Sequence, residues 1–403
     1  MNTNWIALAV PVFAGLMYLE YRLSLRRNKQ VHQFHEAVAN VNVGAAERLT
    51  DLFTSGAFYF VFDWIYRHWA IWKFEASWIN WILLFLLTDL VWYWYHRAGH
   101  RVNLFWGVHV VHHQSEDFNY TTSARITVFQ AVARGLFWSV LPLAGFPPHM
   151  IATLLLVHGA YPFFTHTQLV GRLGILEHFL VTPSHHRVHH SSNVEYLDKN
   201  YGDVLIIWDK LFGTFAEERS ALTYGLTKPL NSHSFLWQHF HFLLELAVAF
   251  RRAQGFQARW RVLFGTPDSI DPRIRTLLEK RFSNREEHRP ITAAVRRLVR
   301  AQTAVTLTLL FLVLLFEPEL SLPQQAAAAL FLLLSLVNTG AILEQRRWVF
   351  YLDFIRLLLA GIAVFTFFPQ PAVLAFTLGL ATMVLLFYRT LQQQYCQLLF
   401  GQA

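Results

Sequence analysis

The chain has 403 residues, of which 54% are hydrophobic and 15% charged, whereas soluble domains carry about 25% charged residues; this composition is typical of a membrane protein. The net charge of +8 comes from basic residues that lie between apolar blocks rather than in a stripe interleaved with aromatic residues, which argues against nucleic acid as a partner. The single cysteine, Cys396, excludes an intrachain disulfide and any cysteine-ligated zinc or iron–sulfur site.

Nine apolar blocks are candidates for membrane spans, since a spanning helix needs about 20 mostly apolar residues. Pro147 and Pro148 mark a tight turn between the fourth block and the fifth. The apolar stretch 205–216 is too short to span, and the histidines within 232–250 favour a helix that lies on the membrane surface. We predict the nine spans at 5–21, 51–72, 78–97, 126–146, 148–168, 301–316, 323–343, 348–368 and 371–391.

Basic residues at the block ends predict the orientation of the chain. They follow the first, third, fifth and seventh blocks and close the ninth, as in YRLSLRRNK at 21–29. If every block crosses, these ends share one side, which the positive-inside rule makes cytoplasmic. All three histidine clusters described below lie on that side. The chain is therefore predicted to be an all-α polytopic integral membrane protein, with about nine transmembrane helices and a cytosolic, histidine-rich di-metal cap.

Three regions are expected along the chain. Residues 1–220 contain the histidine clusters and form the catalytic membrane domain. Residues 221–300 are an amphipathic and basic cytosolic linker region. Residues 301–403 form a membrane extension of four helices, in which no residue with evident chemistry stands out.

Three histidine clusters lie between residues 96 and 190. HRAGH places two histidines one helical turn apart on one face, as two ligands of one metal ion must be. HVVHH and HRVHH then repeat the same H-x-x-H-H spacing, in which intervals of three and four residues again predict that the imidazoles share one helical face. Histidines that merely line a membrane interface would be scattered and would not repeat a spacing. The eight candidate ligands are His96, His100, His109, His112, His113, His186, His189 and His190.

Eight imidazoles are more than one metal ion needs, because a structural zinc site is closed by four ligands. Two metal ions are therefore expected. Imidazole suits Zn, Fe, Cu and Ni, and the spacing does not choose among them. Arg97 occupies the position of the glutamate in the zinc-protease motif HExxH, which disfavours peptide hydrolysis. Two irons beside a bilayer suit attack on an unactivated C–H bond, since dioxygen and the substrate both partition into lipid.

The pattern H-x3-H, H-x2-H-H, H-x2-H-H resembles the fatty acid hydroxylase / sterol desaturase superfamily of di-iron membrane oxygenases. HVVHHQSEDFN and DKNYGDVLIIWDKLFGTF, within 89–216, are similar to the alkylglycerol monooxygenase subfamily. The resemblance implies two Fe ions, bound by the eight histidines. It also implies that O2 and a reduced pterin hydroxylate the ether-bearing carbon of an alkylglycerol in the membrane. The product hemiacetal would then give a fatty aldehyde and glycerol or a glycerol lipid.

The resemblance extends the candidate site. His166, in THTQL, matches a further family histidine and is a predicted ninth ligand, while His185 is left open between a ligand and a residue that supports the ligands. His158, in the middle of the fifth span, is interpreted as a core histidine.

Acidic residues are expected around the ligands, because a ligating histidine usually donates its other N–H to a carboxylate or a carbonyl. Asp89 lies two turns before His96 on the same helical face, inside a predicted span. Glu177 and Asp198 lie in family-like blocks near the clusters. These three carboxylates are the candidate catalytic residues.

One position departs from the family pattern. In the animal alkylglycerol monooxygenases a glutamate tied to pterin use directly follows the second histidine of the first box, and here that residue is Arg101. The use of tetrahydrobiopterin is therefore left open, whereas the prediction of two Fe ions is not affected. The chain carries no haem-binding, ferredoxin-like or GxGxxG segment. A diffusible reductant or a redox partner protein is therefore expected to supply the electrons.

Two alternative functions stay open. The same di-iron site could act on a sterol, a carotenoid or an acyl chain. A metal-binding transporter or sensor is the second alternative, although transporters place their polar groups near mid-membrane rather than at one face.

Overall fold

The computed structural model describes residues 4–282, 290–367 and 369–401, and their regular structure is helical. Short 3₁₀ turns connect several of the helices. The α-helices are α1 (Ala9–Arg26), α2 (Phe34–Trp69), α3 (Trp78–Arg101), α4 (Asn103–His109), α5 (Tyr120–Ser123), α6 (Gln130–Trp138), α7 (Val140–Ala144), α8 (Pro148–Thr165), α9 (Pro183–His189), α10 (Ile207–Phe212), α11 (Phe235–Arg252), α12 (Phe256–Phe264), α13 (Pro272–Phe282), α14 (Ala293–Leu315), α15 (Leu322–Leu343), α16 (Val349–Phe367) and α17 (Pro371–Phe400).

Five helical segments of the described chain are long and apolar enough to cross a membrane. They agree with the first and the last four predicted blocks, and they make the protein an integral membrane protein. The blocks predicted at 51–72, 78–97 and 148–168 fall on α2, α3 and α8, which are not among the five. The five segments are Ile6–Arg26, Ala293–Leu315, Leu322–Leu343, Val349–Thr366 and Pro371–Phe400.

The block predicted as the fourth span, at 126–146, is not one continuous helix. It divides into α6 and α7, which have nine and five residues. Pro142 has no N–H to donate to the carbonyl of Trp138, which favours a break between the two helices. Gly145 then ends α7 with a φ of 116°, and a Cβ there would lie 2.1 Å from the carbonyl oxygen of Trp72. Only glycine fits this close approach.

The chain divides into two compact units, of which the first contains the histidine clusters. This unit comprises Val12–Asn231 and Gln238–Ser283. Its core is built from α2, α3 and α6 to α8, around Leu84, Trp138 and Phe146, whose side chains are fully buried. The core fixes α3 and α8, and the C-terminal ends of these helices carry histidines. Packing in the apolar core thus determines where the polar site lies.

The second unit comprises Met1–Pro11, Ser232–Trp237 and Asn284–Ala403. Here α14 packs on α15, α15 on α16, and α16 on α17. The unit is not wholly apolar, since Asp353 accepts hydrogen bonds from Asn338 Nδ2 and Arg356 Nη1, both at 2.8 Å. Asp353 thus links α15 to α16.

The helix expected on the membrane surface at 232–250 is present as α11, but two of its histidines are buried. His239 and His241 are 1% and 0% exposed. The surface position was predicted from the histidines of this helix, and the burial of two of them does not support it.

Candidate metal centre

Five histidines form the first of two groups, the five-histidine group. Two come from the C-terminal end of α3, one from the end of α4, one from the 3₁₀ turn that follows, and one from α9. One nitrogen atom of each lies within 4.8 Å of the corresponding atoms of the others. The members are His96, His100, His109, His113 and His189.

Four histidines form the second group, the four-histidine group, under the same distance limit of 4.8 Å. One lies in the 3₁₀ turn after α4, one directly after α8, and two at α9. The members are His112, His166, His186 and His190. The two groups are neighbours, since the rings of His113 and His190 stack with their centroids 4.3 Å apart.

Each H-x-x-H-H segment contributes to both groups. In HVVHH, His109 and His113 join the five-histidine group, whereas His112 joins the other. In HRVHH the assignment is reversed, because His186 and His190 join the four-histidine group and His189 crosses to the five-histidine group. Histidines four residues apart thus stay together, and the residue between them reaches the second group. The expectation that all three histidines of each segment share one helical face is therefore wrong, because each segment divides between the two groups.

The distances within each group fit ligands of a shared cation. Two nitrogens that each lie about 2.1 Å from one metal ion, at tetrahedral or right angles, are about 3.0–3.4 Å apart. The Nε2 atoms show this separation in both groups. The measured distances are 3.1 Å for His96–His109, 3.1 Å for His113–His109, 3.3 Å for His166–His112, 3.1 Å for His166–His190 and 3.0 Å for His186–His166.

In four of these rings, Nδ1, the nitrogen that faces away from the group, is hydrogen-bonded to a backbone carbonyl. A carbonyl oxygen only accepts, so Nδ1 carries the proton and Nε2 presents its lone pair to the group. Within the described residues, Nε2 of His100 and of His189 is buried without a hydrogen-bond partner, as expected of a metal ligand. The four Nδ1–H donors and their acceptors are His96 to Tyr201 at 2.8 Å, His189 to Lys199 at 2.9 Å, His112 to Arg125 at 3.0 Å and His166 to Pro162 at 2.6 Å.

The rings are buried, and this determines their protonation. Burial lowers the pKa of His112 to about 4, and it holds the pKa of His100 and His113 well below 6.5, with neighbouring histidines adding to the effect. Neutral imidazole is the form that binds metal, because a ligand nitrogen must be deprotonated. These imidazoles are therefore neutral at neutral pH, the protonation state that a metal ligand requires.

His185 lies outside both groups. Its Nδ1 accepts the backbone N–H of Thr182 at 3.3 Å, at the start of α9, and its ring packs on that of Phe215. The structure thus brings together the nine predicted ligands and gives His185, which was left open, a capping contact.

The three candidate carboxylates have different surroundings. Asp198 accepts a hydrogen bond from Arg101 at 2.6 Å and lies 4.0 Å from Nδ1 of His100. Glu177 accepts the N–H of Leu173 at 3.0 Å. Asp89 is fully buried and accepts backbone N–H groups rather than the N–H of His96, which goes to a carbonyl instead.

Two further buried polar side chains near the site were not predicted from the sequence. Asp203 lies 2.6 Å from Nδ1 of His158, the histidine interpreted as a core residue, and burial raises the pKa of this carboxyl well above 3.8. Arg125 is 1% exposed and donates to the Val111 carbonyl at 2.6 Å. At both positions a charged residue stands beside an apolar run, which could have indicated a buried polar group. The hydrogen-bond partners could not be identified, because each lies on another segment of the chain.

Comparison with known proteins agrees with this geometry. The profile of the fatty acid hydroxylase family matches residues 81–214, which contain every member of both groups. The chain is 33% identical over 365 residues to a Homo sapiens protein named alkylglycerol monooxygenase, covering 88% of this chain and 81% of that protein. The chain belongs to the fatty acid hydroxylase family.

Other relatives carry similar names. An alkylglycerol monooxygenase of Danio rerio is 32% identical over 370 residues, covering 88% of this chain and 81% of that protein. An ornithine lipid hydroxylase of Rhizobium tropici is 28% identical over 135 residues, which are 33% of this chain and 41% of that protein. No solved structure matches the chain. The family resemblance and the prediction of an oxidoreductase are confirmed, and the protein is a membrane-bound lipid hydroxylase.

Proposed function

We propose that the protein uses dioxygen and two iron ions to hydroxylate the ether-bearing carbon of alkylglycerols. One oxygen atom enters the C–H bond, the other leaves as water, and a reductant supplies two electrons. The hemiacetal then divides into a fatty aldehyde and glycerol or a glycerol lipid. The observation that carries the proposal is the pair of neighbouring histidine groups, and the names of the relatives favour the ether substrate.

In this proposal all nine grouped histidines are metal ligands, and His185 supports the start of α9 instead. Bound iron would supply the activation of dioxygen. The protein holds the imidazoles neutral, fixes their tautomers through backbone carbonyls and excludes water by burial. Asp198 is the proposed carboxylate at the edge of the five-histidine group, while Asp89 and Glu177 act through the backbone groups that they bind.

The reductant is proposed to reach the site from a polar cavity. A cavity of about 360 Å³ beside the five-histidine group is lined by residues that include Arg97, Arg101, Asp198 and Tyr201. The ring of Tyr201 packs on that of His100, with the centroids 5.3 Å apart. A tetrahydropterin or the surface of a redox partner protein would approach here. Because Arg101 is paired with Asp198, the arginine does not leave an isolated charge in this cavity.

We also propose the remaining topology. About nine spans would place both histidine groups at the cytosolic face, with residues 1–220 as the catalytic membrane domain, 221–300 as a linker and 301–403 as the C-terminal extension. A cysteine introduced at the exposed Glu195, in a Cys396→Ser background, tests the orientation. A membrane-impermeant thiol reagent should label it only after the plasma membrane is opened. Labelling in intact cells would reverse the proposed orientation.

The activity test uses membranes that contain the iron-replete protein, an alkylglycerol, oxygen and a tetrahydropterin. We expect fatty aldehyde that depends on oxygen and on the reductant, and no aldehyde from His113→Ala. His149→Ala is the matched control, because His149 is exposed and outside both groups. A hydroxylated sterol, carotenoid or acyl chain in place of aldehyde would favour the first alternative. One exchangeable ion per chain without oxygen-dependent product would favour a transporter or sensor.

A further inference from the structure

The carbonyls that hold two ligands of the five-histidine group come from one loop. Residues 199–205, here called the carbonyl loop, lie about a hundred positions from α3, yet Tyr201 O accepts from His96. Two residues earlier, Lys199 O accepts from His189. The loop therefore sets the tautomer of two rings that converge on one group, and it can do so only if its own backbone is fixed.

Asp209, at α10, holds the carbonyl loop at the residue that carries one of these carbonyls. Its side chain is fully buried. One carboxylate oxygen accepts the N–H of Tyr201 at 2.7 Å, and the other accepts the N–H of Gly202 at 2.7 Å. The Thr214 hydroxyl donates to the first oxygen, also at 2.7 Å. A carboxylate can accept at both oxygens at once, whereas an amide presents one oxygen and one donor.

Gly202 shows independently that this carboxylate is closely fitted to the loop. A Cβ at residue 202 would lie 2.9 Å from Asp209 Oδ2 and 2.7 Å from the carbonyl oxygen of Leu205. Any larger residue would displace the carboxylate or the backbone. Glycine is therefore required here by the close approach of the Leu205 carbonyl and of Asp209 rather than by its φ angle.

Asp89 fixes the other end of the loop, where it accepts the N–H groups of Val204 at 2.9 Å and Leu205 at 3.1 Å. The two carboxylates thus bind four backbone N–H groups on either side of residue 203. The four-histidine group has no such arrangement in the described chain, since Pro162 and Arg125 supply the carbonyls that hold its rings.

We propose that Asp209 is a positioning residue for the metal site of the five-histidine group and acts through the carbonyl of Tyr201, which holds His96. The inference rests on the proposed function only in requiring that the histidine groups bind metal. Losing the partner of a ligating histidine typically lowers metal affinity 10- to 100-fold. Asp209→Asn should therefore weaken one of the two sites by roughly that factor and leave the other unchanged.

The test is a Co²⁺ titration of the full-length, metal-depleted protein in detergent. Wild type should bind two ions per chain, and Asp209→Asn should bind one with wild-type affinity and one more weakly. Glu245→Gln is the matched control, because Glu245 is also a buried carboxylate that accepts a hydrogen bond, at 2.9 Å, but its partner is Arg275 on α13. The control should bind both ions as wild type does.

Two ligand variants identify which site is affected. In a His189→Ala background, Asp209→Asn should cause no further change at the remaining site. In a His190→Ala background it should weaken the Co²⁺ site that remains. Gly202→Ala should reproduce the same selectivity, and it replaces Asp209→Asn if that variant does not accumulate. These readouts separate positioning from general destabilisation, which would affect both sites.

If Asp209→Asn bound both Co²⁺ ions with unchanged affinity, or bound both equally more weakly, the positioning role of Asp209 would be wrong. The proposed function would not be affected by either result. Wild-type protein that binds no Co²⁺ would overturn the metal chemistry of the proposed function as well. The two failures are therefore distinguishable without measuring turnover.

Discussion

The two histidine groups differ in what surrounds them. The five-histidine group lies beside a polar cavity, is approached by Asp198 and depends on a loop distant in sequence. The four-histidine group lies against the buried ring of Phe118, which stacks on His166 with the centroids 5.4 Å apart. Its supporting carbonyls come from Pro162, at the end of α8, and from Arg125. The five-histidine group thus has a polar cavity on one side, whereas the four-histidine group is enclosed by a buried aromatic ring.

The largest expected effect comes from removing one ligand of either group. His113→Ala and His190→Ala should each lose one bound metal ion and lower aldehyde formation by more than about 100-fold, the upper range for loss of a ligand's hydrogen-bond partner. Metal analysis and aldehyde release measure the two effects. If one variant kept most of the activity, the reaction would need only one histidine group, and the proposal that both groups take part would be wrong.

Arg125 offers the counterpart of Asp209 for the four-histidine group. It donates to Asn40 Oδ1 at 3.0 Å and to Gln114 Oε1 at 2.6 Å, and burial lowers its pKa to about 10, so it remains charged. Arg125→Met leaves buried acceptors unpaired and should destabilise the protein by roughly 3 kcal/mol. It should also weaken Co²⁺ binding at the four-histidine group alone. Denaturant unfolding and titration test both effects.

The matched control for this arginine is Arg219→Met, because the side chain of Arg219 is 77% exposed. Its substitution should leave stability and metal binding close to wild type. Weakening of the five-histidine group by Arg125→Met would show that the two groups are not supported separately.

A smaller effect is expected from a variant that touches neither group. A Cβ at Gly135 on α6 would lie 2.2 Å from the ring of Phe58 on α2, so Gly135→Ala should destabilise the protein by about 1–3 kcal/mol through overpacking. Both metal sites should keep their affinity. Gly56→Ala is the control, because nothing lies within 4 Å of the added carbon. Thermal unfolding with and without metal distinguishes a loss of packing from a loss of site support.

The smallest change in stability is expected at the polar cavity. The side chain of Asp198 is 39% exposed, and a pair of this kind contributes about 0–1 kcal/mol. Asp198→Asn should therefore keep the fold and both metal ions, while it raises the net charge of the cavity and changes the KM for the reductant. An unchanged KM with several reductants would place their approach elsewhere.

The histidine positions could be predicted because their spacing is local. Residues four apart on a helix share a face, and the structure keeps each such pair in one group. The crossing of His112 and His189 to the opposite group could not be predicted, since it depends on how α4 and α9 face each other. The carbonyl partners were equally inaccessible, because His96 and Tyr201 are 105 residues apart.

The fold was predictable where an apolar block is uninterrupted. Four long helices follow residue 290, as their composition indicates. The interruption of the block at 126–146 was not predicted, because hydrophobicity alone does not register the missing N–H of Pro142 or the close approach at Gly145. Only one member of the buried pair of His158 and Asp203 was predicted. The core position of the histidine was evident from the sequence, but its acidic partner was not.

The donor set of both groups has a consequence for handling the protein. Each group offers imidazole nitrogen alone, and nitrogen sites generally bind Ni²⁺ and Cu²⁺ more tightly than Fe²⁺. Chromatography on immobilised nickel, or growth in copper-rich medium, would therefore exchange the ion rather than merely contaminate the sample. The metal found after purification would record the purification route. Anaerobic reloading with Fe²⁺, followed by an iron count, should precede any measurement of turnover.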